Sequence, residues 1–229
     1  MSQENPNVKI WDDIYAGGRN LWYPYEVAVR IIHQLRARDL LRGVILDHGC
    51  GSGNHLEFMV RVGLTPVGSE VSAASLGLVK ARFAGAKLMA PPVTLFDPSR
   101  PLDGQLPKFD HVFAWGSMHY NSRGKFLADL NTIITMLPAG GRLILAVPGT
   151  HDVVATQSTR DADGSYRLTG EVSGQAGAVV TIPDDEQEFR SWCPDIAIDD
   201  CGRFGWTVQG VQSEFLFLHG SKKGSHVAR

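Results

Sequence analysis

Three glycines at alternate positions, Gly49, Gly51 and Gly53, follow an acid at Asp47 within the stretch ILDHGCGSGNHLEFM. Glycine adopts positive φ angles readily and lets the backbone come close to a ligand, whose polar groups can meet the free N–H groups at the start of the next helix. Two further acids close strand-like runs, Glu70 in TPVGSE and Asp97 in VTLFD. In an open α/β sheet, an acid at the end of the second strand can accept hydrogen bonds from both hydroxyls of a ribose. Asp97 can accept from an exocyclic amine such as that of adenine, and Asp47 suits a ligand that carries an ammonium group. An amino-acid end, a ribose and an adenine together describe S-adenosylmethionine. A dinucleotide would need a third glycine at position 54, to pack the helix under its pyrophosphate, and Asn54 stands there instead.

These residues need strands and helices to hold them. Pro24 and the spacing of Val27, Ile31 and Leu35 predict an amphipathic helix over 24–41. A short apolar strand at 43–47 then enters the glycine turn, and a helix closed by Gly63 leaves it. A second strand ends at Glu70, and Ser72 can cap a helix bearing Leu76, Val79 and Phe83. A third strand ends at Asp97, and a fourth covers 109–115. Phe126, Leu127, Leu130, Ile133, Ile134 and Leu137 then follow helical spacing, and the PAGG turn leads into a fifth strand, RLILAV. Strands alternating with helices at this pace predict a doubly wound α/β fold with a parallel sheet. Residues 149–182, rich in Gly, Ser, Thr and Asp, read as an insertion after the fifth strand that folds as a twisted hairpin. A helix in DDEQEFRSWC and two last strands, DIAIDD and VQSEFLFLHG, complete the pattern. The expected organisation is one domain over 1–229, with a helical cap segment at 1–42.

LDHGCGSG, VGSEVS, FDHVFAWGSMHY and MLPAGGRLIL, in order over residues 44–148, resemble the motifs of the class I S-adenosylmethionine-dependent methyltransferases. The resemblance implies a Rossmann-like, seven-stranded, mostly parallel sheet. It places Asp47, Gly49, Cys50, Gly51 and Gly53 around the methionine moiety, Glu70 with its neighbour Val71 at the ribose, and Asp97 near the adenine. Two positions depart from the pattern: His48 is bulky for its place, and Pro98 lacks the N–H that often contacts the adenine ring.

Other candidates flank these motifs. His119 and Tyr120 follow the fourth strand, where a substrate would meet the methyl group. A histidine there can take the proton from an acceptor, since its ordinary pKa lies near neutrality, or it can serve as a wall. Trp115 lines the adenine pocket or packs in the core. His151, beside Asp152, contacts substrate or belongs to a solvated loop. Trp11, Tyr15, Trp22, Tyr23 and Tyr25 are too dense for a disordered tail. They form either a lid, with Tyr15 or Arg19 reaching the methionine carboxylate, or a stripe docking the first helices. Tyr166 and Arg167 are the contact residues expected of the insertion.

Composition narrows the function. The 229 residues carry 22 Lys and Arg against 24 Asp and Glu, with no basic stripe to hold nucleic acid. The three cysteines form neither a disulfide framework nor a zinc spacing, and no metal cluster stands out, so a reducing, cytoplasmic location is expected. No run of about 18 apolar residues suggests a membrane span. The expected activity is methyl transfer to an oxygen or nitrogen of a small-molecule acceptor, by a monomer or homodimer. The rivals are a nicotinamide-dependent oxidoreductase, an aminopropyl transferase using Asp152, Asp161 and Asp163, and a non-catalytic S-adenosylmethionine-binding protein.

Overall fold

Val44–His48 (β1) is an inner strand of the computed structural model, which describes residues 5–224. The outermost parts of the expected domain, residues 1–4 and 225–229, lie outside the described residues. β1 pairs in parallel with Thr65–Glu70 (β2) on one side and His111–Trp115 (β4) on the other. Val93–Leu95 (β3) extends the sheet beyond β2, and Arg142–Pro148 (β5) extends it beyond β4. The last two strands, Ile196–Val208 (β9) and Val211–Lys222 (β10), complete seven strands in the order β3-β2-β1-β4-β5-β10-β9. β10 runs antiparallel to both neighbours, so the sheet is mostly parallel, as expected.

Alternation along β4 divides the core. Val112 and Ala114 face one side with Phe126, Leu130, Ile133 and Ile134 of the helix Arg123–Met136 (α5). Phe113 and Trp115 face the other, against Ala28, Ile31, Ile32 and Leu35 of Glu26–Ala37 (α2). Asn54–Arg61 (α3) lies against β2, and its Leu56 clusters with Val79 and Phe83 of Ala73–Ala86 (α4) and with Val93 of β3. Burial of apolar side chains on both faces gives the parallel sheet its stability.

Three features exceed what the sequence suggested. A helix Pro6–Ala16 (α1), capped by Asn5, lies against α4, and its Asp12 accepts from Ser72 Oγ (2.7 Å) and Ala74 N (3.0 Å). The insertion opens with Val153–Thr156 (α6) and forms a three-stranded antiparallel sheet, Ser158–Arg160 (β6), Tyr166–Leu168 (β7) and Val179–Val180 (β8), rather than a hairpin. The extra strand reads Ser-Thr-Arg and carries no apolar pattern to reveal it. A helix Glu186–Ser191 (α7) follows. β9 and β10 then run past the rest of the sheet: β10 joins β5 only from Phe215 onward, and the hairpin turns at Gln209 (φ 52°) and Gly210 (φ 78°). Positive φ at both central residues of such a turn matches the strand twist. No helix among the described residues is long and apolar enough to cross a membrane.

Candidate active site

Gly49, Gly51 and Gly53 all sit at positive φ, at 72°, 53° and 80°. The turn is held from below, where Gly49 N and Cys50 N donate to Ser69 O at 2.8 and 3.1 Å. Gly51 N donates to Glu70 Oε2 (2.8 Å), while Val71 N and Ser72 N donate to Oε1 (2.7 and 3.2 Å). Glu70 thus ties the end of β2 to the glycine turn. A Cβ on Gly51 would strike the Tyr15 hydroxyl, and one on Gly49 would strike Ser117. The bare backbone is required here by close neighbours.

Asp47, one residue before the end of β1, is buried, and its Oδ2 has no hydrogen-bond partner. Burial first, and then the neighbouring Glu70, push its carboxyl well above the ordinary range. Burial also raises Glu70, against the pull of its three backbone donors. A buried, unpartnered carboxyl beside a glycine turn calls for a cation, and the ammonium of an amino-acid ligand fits it.

The cleft beyond the strand ends has two halves. The first, of about 90 Å³, lies between Val71, Phe96, Pro98 and Met118. His48 stacks on Phe96 (5.1 Å between centroids) and meets Ser69 Oγ at 2.9 Å through Nδ1; burial lowers its pKa to about 4. This volume is below the roughly 300 Å³ at which small-molecule pockets begin, and Trp11 and Tyr15 of α1 close over it. The second half, of about 310 Å³, is walled by Tyr25, Trp115, His119, Asp152, Trp206 and Phe215. Gly49, Gly116, Trp11, Tyr15 and Tyr120 border both.

Several sequence expectations change against this geometry. Asp97 borders neither half: β3 stops two residues earlier, and the exposed carboxylate turns back on Ser99 N (2.9 Å) and Oγ (2.7 Å). Trp115 is not on the side of Phe96, because alternation along β4 sends Ala114 there and Trp115 to the larger half. His119 lines the larger half, yet its pKa is not near neutral: burial lowers it to about 3, and Nδ1 has no partner. His151 is exposed and paired with Glu214 (3.2 Å). Tyr166 lies under the Arg160 guanidinium and Arg167 pairs with Asp161 (3.2 Å), both outside the two halves. Tyr166 packs in an apolar cluster with Tyr120 and Val154, and the insertion reaches the cavity through Val154, Val172 and Gln175. Gln175 Oε1 accepts from the Tyr120 hydroxyl at 2.7 Å.

The amino-terminal segment is firmly attached. Asn7 Nδ2 donates to Tyr120 O (2.7 Å) and Val179 O (2.8 Å), and its Oδ1 accepts from Val179 N (3.0 Å). Arg19 borders the larger half and donates to Ser173 O (3.1 Å). Arg82 donates to Asn20 Oδ1 (2.6 Å) and Trp22 O (3.1 Å). Asn54 Nδ2 donates to Tyr23 O (2.9 Å), so the residue standing in place of a third glycine anchors this segment. Nothing in the sequence singled out Asn7 or Asp12. Phe204 and Trp206 lie beyond the strand expected at DIAIDD, and Phe215 was read only as a strand residue.

Among known proteins, a family model described as a methyltransferase domain matches residues 20–200, more than half of the chain. No curated protein sequence matches. Solved structures do. An S-adenosylmethionine-dependent methyltransferase from Anabaena variabilis superposes with a TM-score of 0.68 at 13% identity, covering 97% of this chain and 98% of that one. A structure reported for the conversion of a disulfide bond into a thioacetal group in echinomycin biosynthesis gives 0.68 at 16% identity, over 94% and 93%. The Burkholderia thailandensis 1,6-didemethyltoxoflavin-N1-methyltransferase, with bound 1,6-didemethyltoxoflavin and S-adenosylhomocysteine, gives 0.64 at 16% identity, over 98% and 91%. At such identities the likeness is one of fold.

Proposed function

The chain belongs to the methyltransferase domain family, as a class I S-adenosylmethionine-dependent enzyme, and on that premise we propose that it methylates an oxygen or nitrogen of a small-molecule acceptor held in the larger half of the cleft. One observation carries this reading: a single glycine turn borders two cavities divided by Trp11, Tyr15 and Tyr120. One cavity suits the cofactor and the other an acceptor. When bound, S-adenosylmethionine supplies an electrophilic methyl carbon on a positively charged sulfur.

The protein's own residues bind, orient and exclude water, which are the main tasks in methyl transfer. Asp47 takes the ammonium, and Glu70 keeps lone pairs free for ribose hydroxyls while holding Gly51. Phe96 and His48 flank the adenine, with Met118 and Pro98 as its floor. α1 is a lid whose Tyr15 covers the turn; it must shift for the cofactor to enter. His119, uncharged in its buried setting, accepts a hydrogen bond from the acceptor's O–H or N–H and orients the lone pair. An imidazole with a pKa near 3 holds a proton too weakly to store it, so the proton leaves to solvent. The unpaired thiols of Cys50, Cys193 and Cys201 support a reducing, cytoplasmic setting.

The rivals lose ground on specific contacts. Asn54 occupies the third-glycine position and is committed to Tyr23, which disfavours a dinucleotide. An aminopropyl acceptor wants free carboxylates, yet Asp152 is satisfied by Val154 N, Ser213 Oγ and Glu214 N, and Asp161 by Arg167. Calorimetric titration with S-adenosylmethionine, S-adenosylhomocysteine and NAD tests the assignment. The two adenosyl ligands should bind and NAD should not; binding of NAD alone would mean that the turn has been misread.

A further inference from the structure

The larger half of the cleft has a wall of nearly parallel rings. Phe113 lies on Trp115 (5.6 Å, 5°), Trp115 on Phe204 (5.5 Å, 25°), Phe204 on Phe215 (5.5 Å, 14°) and Phe215 on Trp206 (6.4 Å, 14°). Trp206 ends the series and is 42% exposed. Leu21, Val208 and Val211, also exposed, stand with it around the cavity. On the other side, Trp11 meets Tyr120 edge-on (4.7 Å, 81°).

The polar groups of this cavity are mostly committed. Ser52 Oγ accepts from Leu21 N, Asn54 donates to Tyr23 O, Gln175 holds Tyr120, and both oxygens of Asp152 are used. Two buried groups are not: the indole N–H of Trp115, which can only donate, and Nδ1 of His119. Arg19 adds positive charge, and among the described residues it has no carboxylate partner.

Resting on the methyltransferase reading, we propose that the acceptor is a planar aromatic or heteroaromatic ring bearing an anionic or hydrogen-bond-accepting oxygen. The ring extends the stack begun by Phe215 and Trp206. The oxygen takes the Trp115 N–H and lies within the field of Arg19. Two other classes fit less well. An ammonium ligand would want rings arranged around it as a cage and a carboxylate free to pair, whereas these rings lie side by side and Asp152 is spent. A hexose would bring many hydroxyls to a wall with few free partners. A flat ring matches both the geometry of stacking and the small number of open polar groups.

The test uses the full chain loaded with S-adenosylhomocysteine, titrated in a calorimeter with 1-hydroxy-2-naphthoate, pterin-6-carboxylate, spermidine and glucose. At least one of the two planar anions should bind, with quenching of tryptophan fluorescence, and neither spermidine nor glucose should compete. Trp206→Ala, at an exposed position, should weaken that planar ligand about tenfold, as loss of one stacking surface does. Trp115→Phe should weaken it by a similar factor while keeping the ring stack, and neither variant should change affinity for S-adenosylhomocysteine. If S-adenosylhomocysteine binds but both planar anions fail, or spermidine or glucose binds more tightly, or Trp206→Ala has no effect, the acceptor class is overturned. If S-adenosylhomocysteine itself does not bind, the methyltransferase reading falls and this inference with it.

Discussion

The two halves of the cleft are built in different ways. The cofactor half is framed by the ends of β1 and β2 and by Gly49, with Glu70 bonding back to Gly51 across 19 positions, and the amino-terminal segment closes it through Asn7, Trp11 and Tyr15. The acceptor half is assembled from α1, the loop after β4, the insertion and the last hairpin, so that Tyr15, His119, Gln175 and Phe215 meet across most of the chain. Aromatic side chains line both, and the second adds the rings of Tyr25, Trp115, Trp206 and Phe215. One half therefore tolerates little change at its glycines, while the other can be re-lined without disturbing the sheet.

That contrast can be broken most sharply at Gly51. Gly51→Ala forces a left-handed alanine against Tyr15, and we expect a loss of about 2–4 kcal/mol in stability, read by urea unfolding, together with loss of S-adenosylhomocysteine binding. A neutral outcome would mean that the glycine turn is as pliable as the aromatic wall of the acceptor half.

Asp47→Asn comes next. It should weaken S-adenosylmethionine by about 1.5–3 kcal/mol, the usual worth of hydrogen bonds to a charged group, yet raise the stability of the free protein by removing an unpartnered buried carboxylate. The same residue makes binding pH-dependent. Its pKa is raised in the free protein, and an ammonium partner favours the ionised form, so binding expels a proton where Asp47 is protonated. Affinity should fall as pH drops below that raised pKa. Calorimetry in buffers of different ionisation enthalpy should register the proton in the parent protein and not in the variant.

On the acceptor side, His119→Ala should leave cofactor affinity intact and slow transfer about tenfold, with no inflection near pH 6.5 lost from the rate profile, because the imidazole stays neutral above about 3. A lost inflection would restore it as a base.

The buried histidines also affect stability. His48, His55 and His119 have pKa values of about 4, 3 and 3 in the folded chain against an ordinary 6.5. The unfolded chain binds more protons between those values, so their contribution is present above 6.5 and is lost as pH falls toward 4 and 3. Asp47 and Glu70, raised on folding, act in the opposite sense: their contribution is present in acid and is lost as pH rises through their folded pKa values. Urea midpoints at pH 5 should lie below those at pH 7, with a steeper drop in Asp47→Asn, which lacks one opposing group. Equal slopes in the two proteins would contradict the raised pKa of Asp47.

The smallest effect belongs to Asp12→Ala. It removes the cap that ties α1 to α4 and should cost about 1 kcal/mol of stability while speeding cofactor exchange, measured by stopped-flow fluorescence. Unchanged exchange would argue that α1 does not gate the smaller half.

The amino-acid sequence by itself determined the doubly wound sheet, the glycine turn and the acids at the ends of β1 and β2. Each of these depends on neighbours a few residues away: alternating or helical apolar spacing, a positive φ that only glycine adopts easily, a carboxylate closing a strand. Tertiary structure decided the rest. It sent Trp115 to the acceptor half through the alternation of a strand whose facing was not fixed until both helical layers were in place. It turned Asp97 away by ending β3 two residues early, and it lowered the pKa of His119 by surrounding it with distant segments that exclude water. Burial, orientation and pKa depend on what packs against a residue, and those partners come from parts of the chain that no local pattern links.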